Sequence, residues 1–210
     1  MNQNSTHKAQ AAVNPAPKPR SKSTLYWVLA VCAAPTIAAF ATYYLVDWQP
    51  NTETTNYGEL LTGQAALVQM PSAQTLEGKP FDIKSLDKKW VFASVDGGAC
   101  LEPCAKRLFT SRQLRAITGR ERERVARLWL VTDDASVSPE LMAAHPDLTI
   151  VRVKASDIRL PVPASSSLTE HTWLIDPLTR PMMRYSADPD PSRMKKDVSK
   201  LLYASKSWQN

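Results

Sequence analysis

Two cysteines carry the chemistry that this sequence can do. Cys100 and Cys104 are separated by three residues, in the order Cys-Leu-Glu-Pro-Cys. A compact apolar run over residues 90–95 precedes them and reads as a buried strand; Gly97 and Gly98 then supply a turn. A helical pattern begins near Pro103 and runs to about Thr118, where Gly119 stops it. The two thiols therefore stand where a strand hands over to a helix. The first turn of a helix presents unpaired N–H groups and a partial positive charge, both of which favour thiolate over thiol. Thiolates four positions apart at a helix start can meet one soft ion such as Cu(I), or join as a disulfide if their Cα atoms approach within about 7 Å. Three readings stay open: metal binding with redox cycling, thiol–disulfide exchange without metal, and a static structural disulfide.

The compartment bears on which of these applies. Residues 24–46 contain no charged side chain and are long enough to cross a bilayer as a helix. Tyr26 and Trp27 at one end, and Tyr43, Tyr44 and Trp48 at the other, match interfacial aromatic belts. Bulky aromatics, and no small-residue cleavage site, follow the apolar stretch, so an uncleaved anchor is expected over a signal peptide. Residues 1–23 are polar, carry four basic residues and no acid, and read as a disordered tail. The positive-inside rule places that tail in the cytoplasm and the rest of the chain beyond the membrane, in the periplasm if the membrane is a bacterial inner membrane. Cys32 falls inside the span as an apolar filler, which leaves one possible intramolecular pairing in an oxidising compartment.

The elements that must position the cysteines follow in order. Residues 47–72 are expected to be a linker and N-terminal extension, with residues 59–70 a short helix or strand. The globular domain is expected over residues 73–205. Residues 81–83 alternate like a short strand after a turn at 77–80. Apolar strands are expected at 128–131 and 148–153, with a short helix between them capped by Ser138 and opened by Pro139. Residues 155–167 read as an irregular connection. Residues 172–175 and 181–185 form a hairpin, and a closing helix over 191–203 offers Val198, Leu201 and Leu202 as its apolar face. This order predicts an α/β protein: a thioredoxin-like central sheet flanked by helices, preceded by one N-terminal transmembrane helix.

Several stretches together resemble the Sco/SenC family of membrane-anchored thioredoxin-fold proteins. They are Gly78-Lys79-Pro80-Phe81, the run from Lys89-Trp90-Val91-Phe92 to Cys100 and Cys104, and Trp173-Leu174-Ile175-Asp176-Pro177. The resemblance covers residues 78–203. It implies a role in maturing cytochrome c oxidase, with Cu(I) held by Cys100, Cys104 and a distal histidine. The partner it implies is the copper-bearing oxidase subunit or another assembly factor. The family's histidine lies about six residues before the leucine of the hairpin motif. Leu168 stands there, and His171 is the candidate ligand, three residues nearer the hairpin. An odd shift along a strand turns a side chain to the other face, so His171 reaches the cysteines only if the loop over 161–170 bulges. The alternatives are a metal-free thiol–disulfide oxidoreductase and a non-catalytic assembly factor with a degenerate copper site.

Other residues have two readings each. Met182 and Met183 are auxiliary copper contacts or core packing. Asp133 and Asp134 border the active edge or simply end a strand. His145 reads as a helix C-terminal residue favoured by the dipole, and His7 lies in the tail. Zinc is disfavoured because a closed site takes four protein ligands. The basic run from Lys106 to Arg127 reads as a solvated helix face in preference to a dock for anionic lipid or an acidic partner. Nucleic acid is excluded as a partner beyond a membrane.

Overall fold

The computed structural model describes residues 22–45, 55–61, 69–86 and 88–209. The tail up to residue 21 with His7, most of the membrane-to-domain linker (46–54) and residues 62–68 of the expected 59–70 element lie outside the described residues. The chain divides into two units, Met1–Glu53 and Thr54–Asn210.

In the first unit, helix α1 spans Lys22–Leu45. Its segment Lys22–Tyr44 is long and apolar enough to cross a membrane. Pro35 sits inside the helix, and the Thr42 hydroxyl donates to the Ala38 carbonyl one turn back (2.7 Å).

The second unit is built on a mixed sheet of seven strands in the order β1-β7-β6-β3-β4-β5-β2. The strands are β1 (Glu59–Leu60), β2 (Gln74–Thr75), β3 (Trp90–Asp96), β4 (Val125–Val131), β5 (Leu148–Arg152), β6 (Thr172–Ile175) and β7 (Pro181–Tyr185). The pairs β3–β4 and β4–β5 are parallel, and the remaining pairs are antiparallel. The central strands β3 and β4 are buried along nearly their whole length because both faces are covered.

Cross-strand pairing separates the faces. Trp90, Phe92, Ser94 and Asp96 of β3 stand beside Val125, Arg127, Trp129 and Val131 of β4. Against this face pack α2 (Glu102–Ile117) through Cys104, Leu108 and Leu114, and α4 (Pro191–Ala204) through Met194, Val198 and Leu202. Val91, Ala93 and Val95 face the other way. They join Leu128, Leu130, Trp173 and Ile175 under Ile83, Ile158 and Leu160. The short helix α3 spans Pro139–Ala144; the Ser138 side chain accepts from the Leu141 amide as expected (3.1 Å).

One expected element is different. Residues 81–83 do not form a strand: Pro80 makes a single bridge to Gln74, and Ile83–Leu86 is a 3-10 turn. Asp82 is the cause. Its carboxylate accepts from the Lys84 amide (3.0 Å) and its carbonyl from the Ser85 amide (2.9 Å), which commits the backbone to a turn. The connection over 155–167 opens with a 3-10 turn at Ala155–Asp157, and a second turn, Leu168–Glu170, follows it.

Candidate functional site

The sequence places the cysteines at the end of β3, and the surrounding side chains fix how. Cys100 and Cys104 form a disulfide with Cα atoms 5.1 Å apart. The loop between β3 and α2 is held by two carboxylates. Asp96, the last residue of β3, accepts from the Gly97 amide (2.8 Å). Asp133, just beyond β4, accepts from the Gly98 amide (2.8 Å) and from Ala135 (3.2 Å). Glycine is required at position 98, where a Cβ would run into the Ala135 carbonyl oxygen; a Cβ on Gly97 would push the Asp133 carboxylate aside. The Cys100 amide closes the turn onto the Gly97 carbonyl (3.1 Å). Cys100 itself has φ of +43°, a left-handed conformation that costs a residue with a Cβ about 1 kcal/mol or more.

Helix α2 begins at Glu102 with Pro103 in its first turn, and Leu101 at the N-cap offers no side-chain cap. The first-turn amides therefore stay open beside the sulfurs and favour negative charge there. The two cysteines differ in access. Cys100 is half-buried, whereas Cys104 is only 2% exposed, in a cluster with Leu108, Trp129, Val131 and Val137.

Beneath the cysteines the basic run departs from the solvated face expected of it. Arg107, one turn after Cys104, is 3% exposed and paired with Asp96. Burial pulls its guanidinium below the ordinary arginine range, and Asp96 opposes that pull. Arg127 is fully buried. It donates to the Leu108 carbonyl (2.7 Å), the Ser111 hydroxyl (3.1 Å), Asp147 (2.8 Å) and Nδ1 of His145 (3.1 Å). Five donors on a rigid fork let one arginine tie α2 to β4 in this way. Arg112, Arg120 and Arg122 are exposed, as expected.

His145 also needs correction. It caps α3, but its ring is buried rather than presented to the helix dipole. Burial first, then Arg127 and Arg112, push its pKa below the ordinary value, so the neutral ring is favoured.

His171 is not brought to the cysteines. Its φ and ψ are extended, and its ring lies edge-on to Trp173 (centroids 5.7 Å apart), whose side chain is in the core on the face opposite α2. Nδ1 donates to the Tyr185 carbonyl (3.2 Å) and Nε2 shares a hydrogen bond with the Ser166 hydroxyl (2.7 Å), so both ring nitrogens are engaged. The segment before it is a 3-10 turn closed by a Ser167–Glu170 capping box. Met183 is 1% exposed within the core and Met182 packs partly against the same cluster, so their packing reading holds. Asp134 is exposed. Among the described residues no group of three or more His, Cys, Asp or Glu side chains could hold a metal ion. In the disulfide form, Cys100, Cys104 and His171 do not make a three-ligand group.

Reading the sequence missed Asp96, Arg107 and Trp129. The signals were present: Asp96 is four residues before Cys100, and Arg107 is one helical turn after Cys104.

A mixed sheet covered by helices, with a cysteine pair where a central strand enters a covering helix, defines a thioredoxin-like protein. The chain belongs to the family described as transmembrane-like, thioredoxin-like, C-terminal domain, whose model matches residues 90–205. Its fold is shared with solved Sco proteins. Yeast Sco1 with copper bound is 15% identical, covering 67% of this chain and 95% of its own, with a TM-score of 0.53. Arabidopsis thaliana ScoI with copper bound is 18% identical, covering 64% and 97%, with a TM-score of 0.51. A SCO1/SenC family lipoprotein from Bacillus anthracis is 17% identical, covering 68% and 98%, with a TM-score of 0.50. No curated protein sequence matches the chain significantly.

Proposed function

We propose that this protein is a membrane-anchored thiol–disulfide protein serving the assembly of a copper-containing respiratory oxidase, with Cys100 and Cys104 as its redox pair. The observation that carries the reading is the asymmetric disulfide: Cys100 half-buried, Cys104 almost fully buried, at a helix start without a side-chain cap. In exchange, an incoming thiolate attacks the accessible Cys100 sulfur. A mixed disulfide forms, the Cys100–Cys104 bond breaks, and Cys104 leaves as thiolate. The partner's second thiolate then displaces Cys100, and the disulfide has gained two electrons in all, with protons from the partner's thiols. In reverse, the reduced pair passes its electrons to a partner's disulfide. The oxidase link rests on the Sco/SenC resemblance and on the shared fold. The partner in this reading is the copper-bearing subunit or another assembly factor, the helix α1 is the anchor in a bacterial inner membrane, and the domain works in the periplasm.

A second reading is delivery of Cu(I) as cargo. Copper-bound Sco proteins share the fold, and two reduced thiolates here would be soft donors. Anaerobic Cu(I) titration of the reduced full chain against a competing chelator tests it, and binding abolished by Cys100→Ser would support it. The main reading is tested in cells lacking the protein. Wild-type chain should restore assembled oxidase and the Cys100→Ser/Cys104→Ser variant should not. Restoration by the double variant would leave the non-catalytic assembly role in place of both.

A further inference from the structure

Breaking the disulfide puts a negative charge on Cys104, a residue 2% exposed to solvent. Water cannot stabilise it there, and a buried thiol otherwise titrates above its ordinary range. The cluster around Cys104 contains Trp129, which is fully buried and whose indole Nε1–H has no hydrogen-bond partner. Arg107 follows Cys104 by three positions on α2, and both are buried, so they share one helix face. Its terminal nitrogen pairs with Asp96, but its Nε–H is buried and without a partner. Buried donors are rarely left unpaired because each loses its bond to water and gains nothing in return. Among the described residues only four buried side-chain nitrogens or oxygens lack a partner, and two of them belong to this neighbourhood.

Resting on the redox reading above, we infer that Arg107 Nε and Trp129 Nε1 are the donors that receive the Cys104 thiolate when the disulfide opens. In the oxidised protein they wait without an acceptor. In the reduced protein the sulfur takes their two hydrogen bonds. The arrangement costs the disulfide form and favours the dithiol form, so it raises the reduction potential and makes Cys104 a better leaving group. Asp96 has a positioning role: it holds Arg107 through the terminal nitrogen, and it holds Gly97 on the other side of the cysteine loop.

The test uses the full chain in detergent micelles. Trp129→Phe keeps the ring and removes the N–H; Arg107→Lys keeps the charge facing Asp96 and removes Nε–H. In a Cys32→Ser/Cys100→Ser background, Cys104 is the one remaining thiol, and its titration is followed by thiolate ultraviolet absorbance. The parent should titrate below the free-thiol value of about 8.5. Each substitution should raise that value by about one unit, a tenfold loss of thiolate at a fixed pH below it. In the intact pair, equilibration with glutathione should show both variants harder to reduce. Thermal unfolding gives an independent readout of opposite sign: Trp129→Phe should leave the oxidised protein as stable or more stable and make the reduced protein less stable. A merely structural role for the indole would move both forms together. Unchanged Cys104 titration in both variants overturns the inference. Failure of the wild-type disulfide to exchange with dithiothreitol would instead remove the redox reading, and the Cys104 titration would still decide for or against the donors.

Discussion

The cysteine loop and the segment carrying His171 lie at the same end of the sheet, since Thr172 pairs with Ser94 two residues before β3 ends. They are built on different principles. The cysteine loop is anchored from outside itself: Asp133 comes from beyond β4, Arg107 from α2, and Arg127 ties α2 to β4 underneath. The His171 segment is held largely by its own neighbours, Ser166, Ser167 and Glu170, with the Tyr185 carbonyl as its link to the next strand. The first arrangement spends buried polar groups on placing two sulfurs. The second satisfies an imidazole locally and leaves neither nitrogen for a ligand. Proximity to a site along the sheet is therefore not the same as membership of it.

The largest expected effect lies under the cysteine helix. Arg127→Ala removes a fully buried side chain with its hydrogen bonds to the Leu108 carbonyl, Ser111, Asp147 and His145, and opens a cavity beside Trp129. Losing a buried side chain of this size should destabilise the protein by about 2–5 kcal/mol, read as a lowered denaturation midpoint. A loss below about 1 kcal/mol would mean that the cysteine helix does not depend on this scaffold, and the contrast with the His171 segment would collapse.

Gly98→Ala comes next. The added Cβ meets the Ala135 carbonyl, which is backbone and cannot swing aside. Overpacking of this kind should cost about 1–3 kcal/mol. It should also change the rate at which dithiothreitol opens the disulfide, while hydrogen-exchange protection around residues 171–175 stays as in the parent. Changes at both places would show the two regions to be one unit.

How much of this was legible follows from the same contrast. The strand, the turn, the helix and the cysteine pair occupy 90–118 without interruption, so spacing alone brings the sulfurs together. The hairpin and the cap at Ser138 are local as well. The position of His171 depends on which face a strand residue takes after a 3-10 turn. Spacing raises that question; the capping box fixes the turn before the ring, and the ring nitrogens meet Ser166 and the Tyr185 carbonyl. Arg107 and Arg127 were harder to see. A run rich in arginine reads as a solvated face, and partners such as Asp96 and Asp147, brought in from the chain on either side of α2, make burial tolerable.

His145 extends the contrast to pH. Burial, Arg127 and Arg112 hold its folded pKa below the ordinary value, while Asp147 opposes them. Below about pH 6.5 the unfolded chain thus binds a proton that the folded chain resists, and stability falls as pH falls through that value. Protonation would also set a cation against Arg127, whose N–H now donates to Nδ1. His145→Gln keeps an acceptor and removes the titration. It should abolish the loss of stability between neutral pH and about pH 5.5 in chemical denaturation. Identical pH profiles for parent and variant would show that the ring does not sense the arginine.

The smallest effect belongs to His171. His171→Ala removes two hydrogen bonds and an edge contact with Trp173, all at a half-buried site. A net loss of about 1 kcal/mol is expected, because replaced hydrogen bonds return largely to water. Cu(I) affinity of the reduced chain and the reduction potential of Cys100–Cys104 should stay unchanged. Leu168→His is the complementary change, since it restores an imidazole at the position the Sco/SenC pattern gives it. If Leu168→His strengthens Cu(I) binding while His171→Ala leaves it alone, then position along the segment, and not the presence of a histidine, decides the site. If His171→Ala instead weakens Cu(I) binding tenfold or more, a difference of about 1.4 kcal/mol, the imidazole must leave Ser166 and Tyr185 to reach the sulfurs. The two regions would then have to be described as one copper site assembled on reduction.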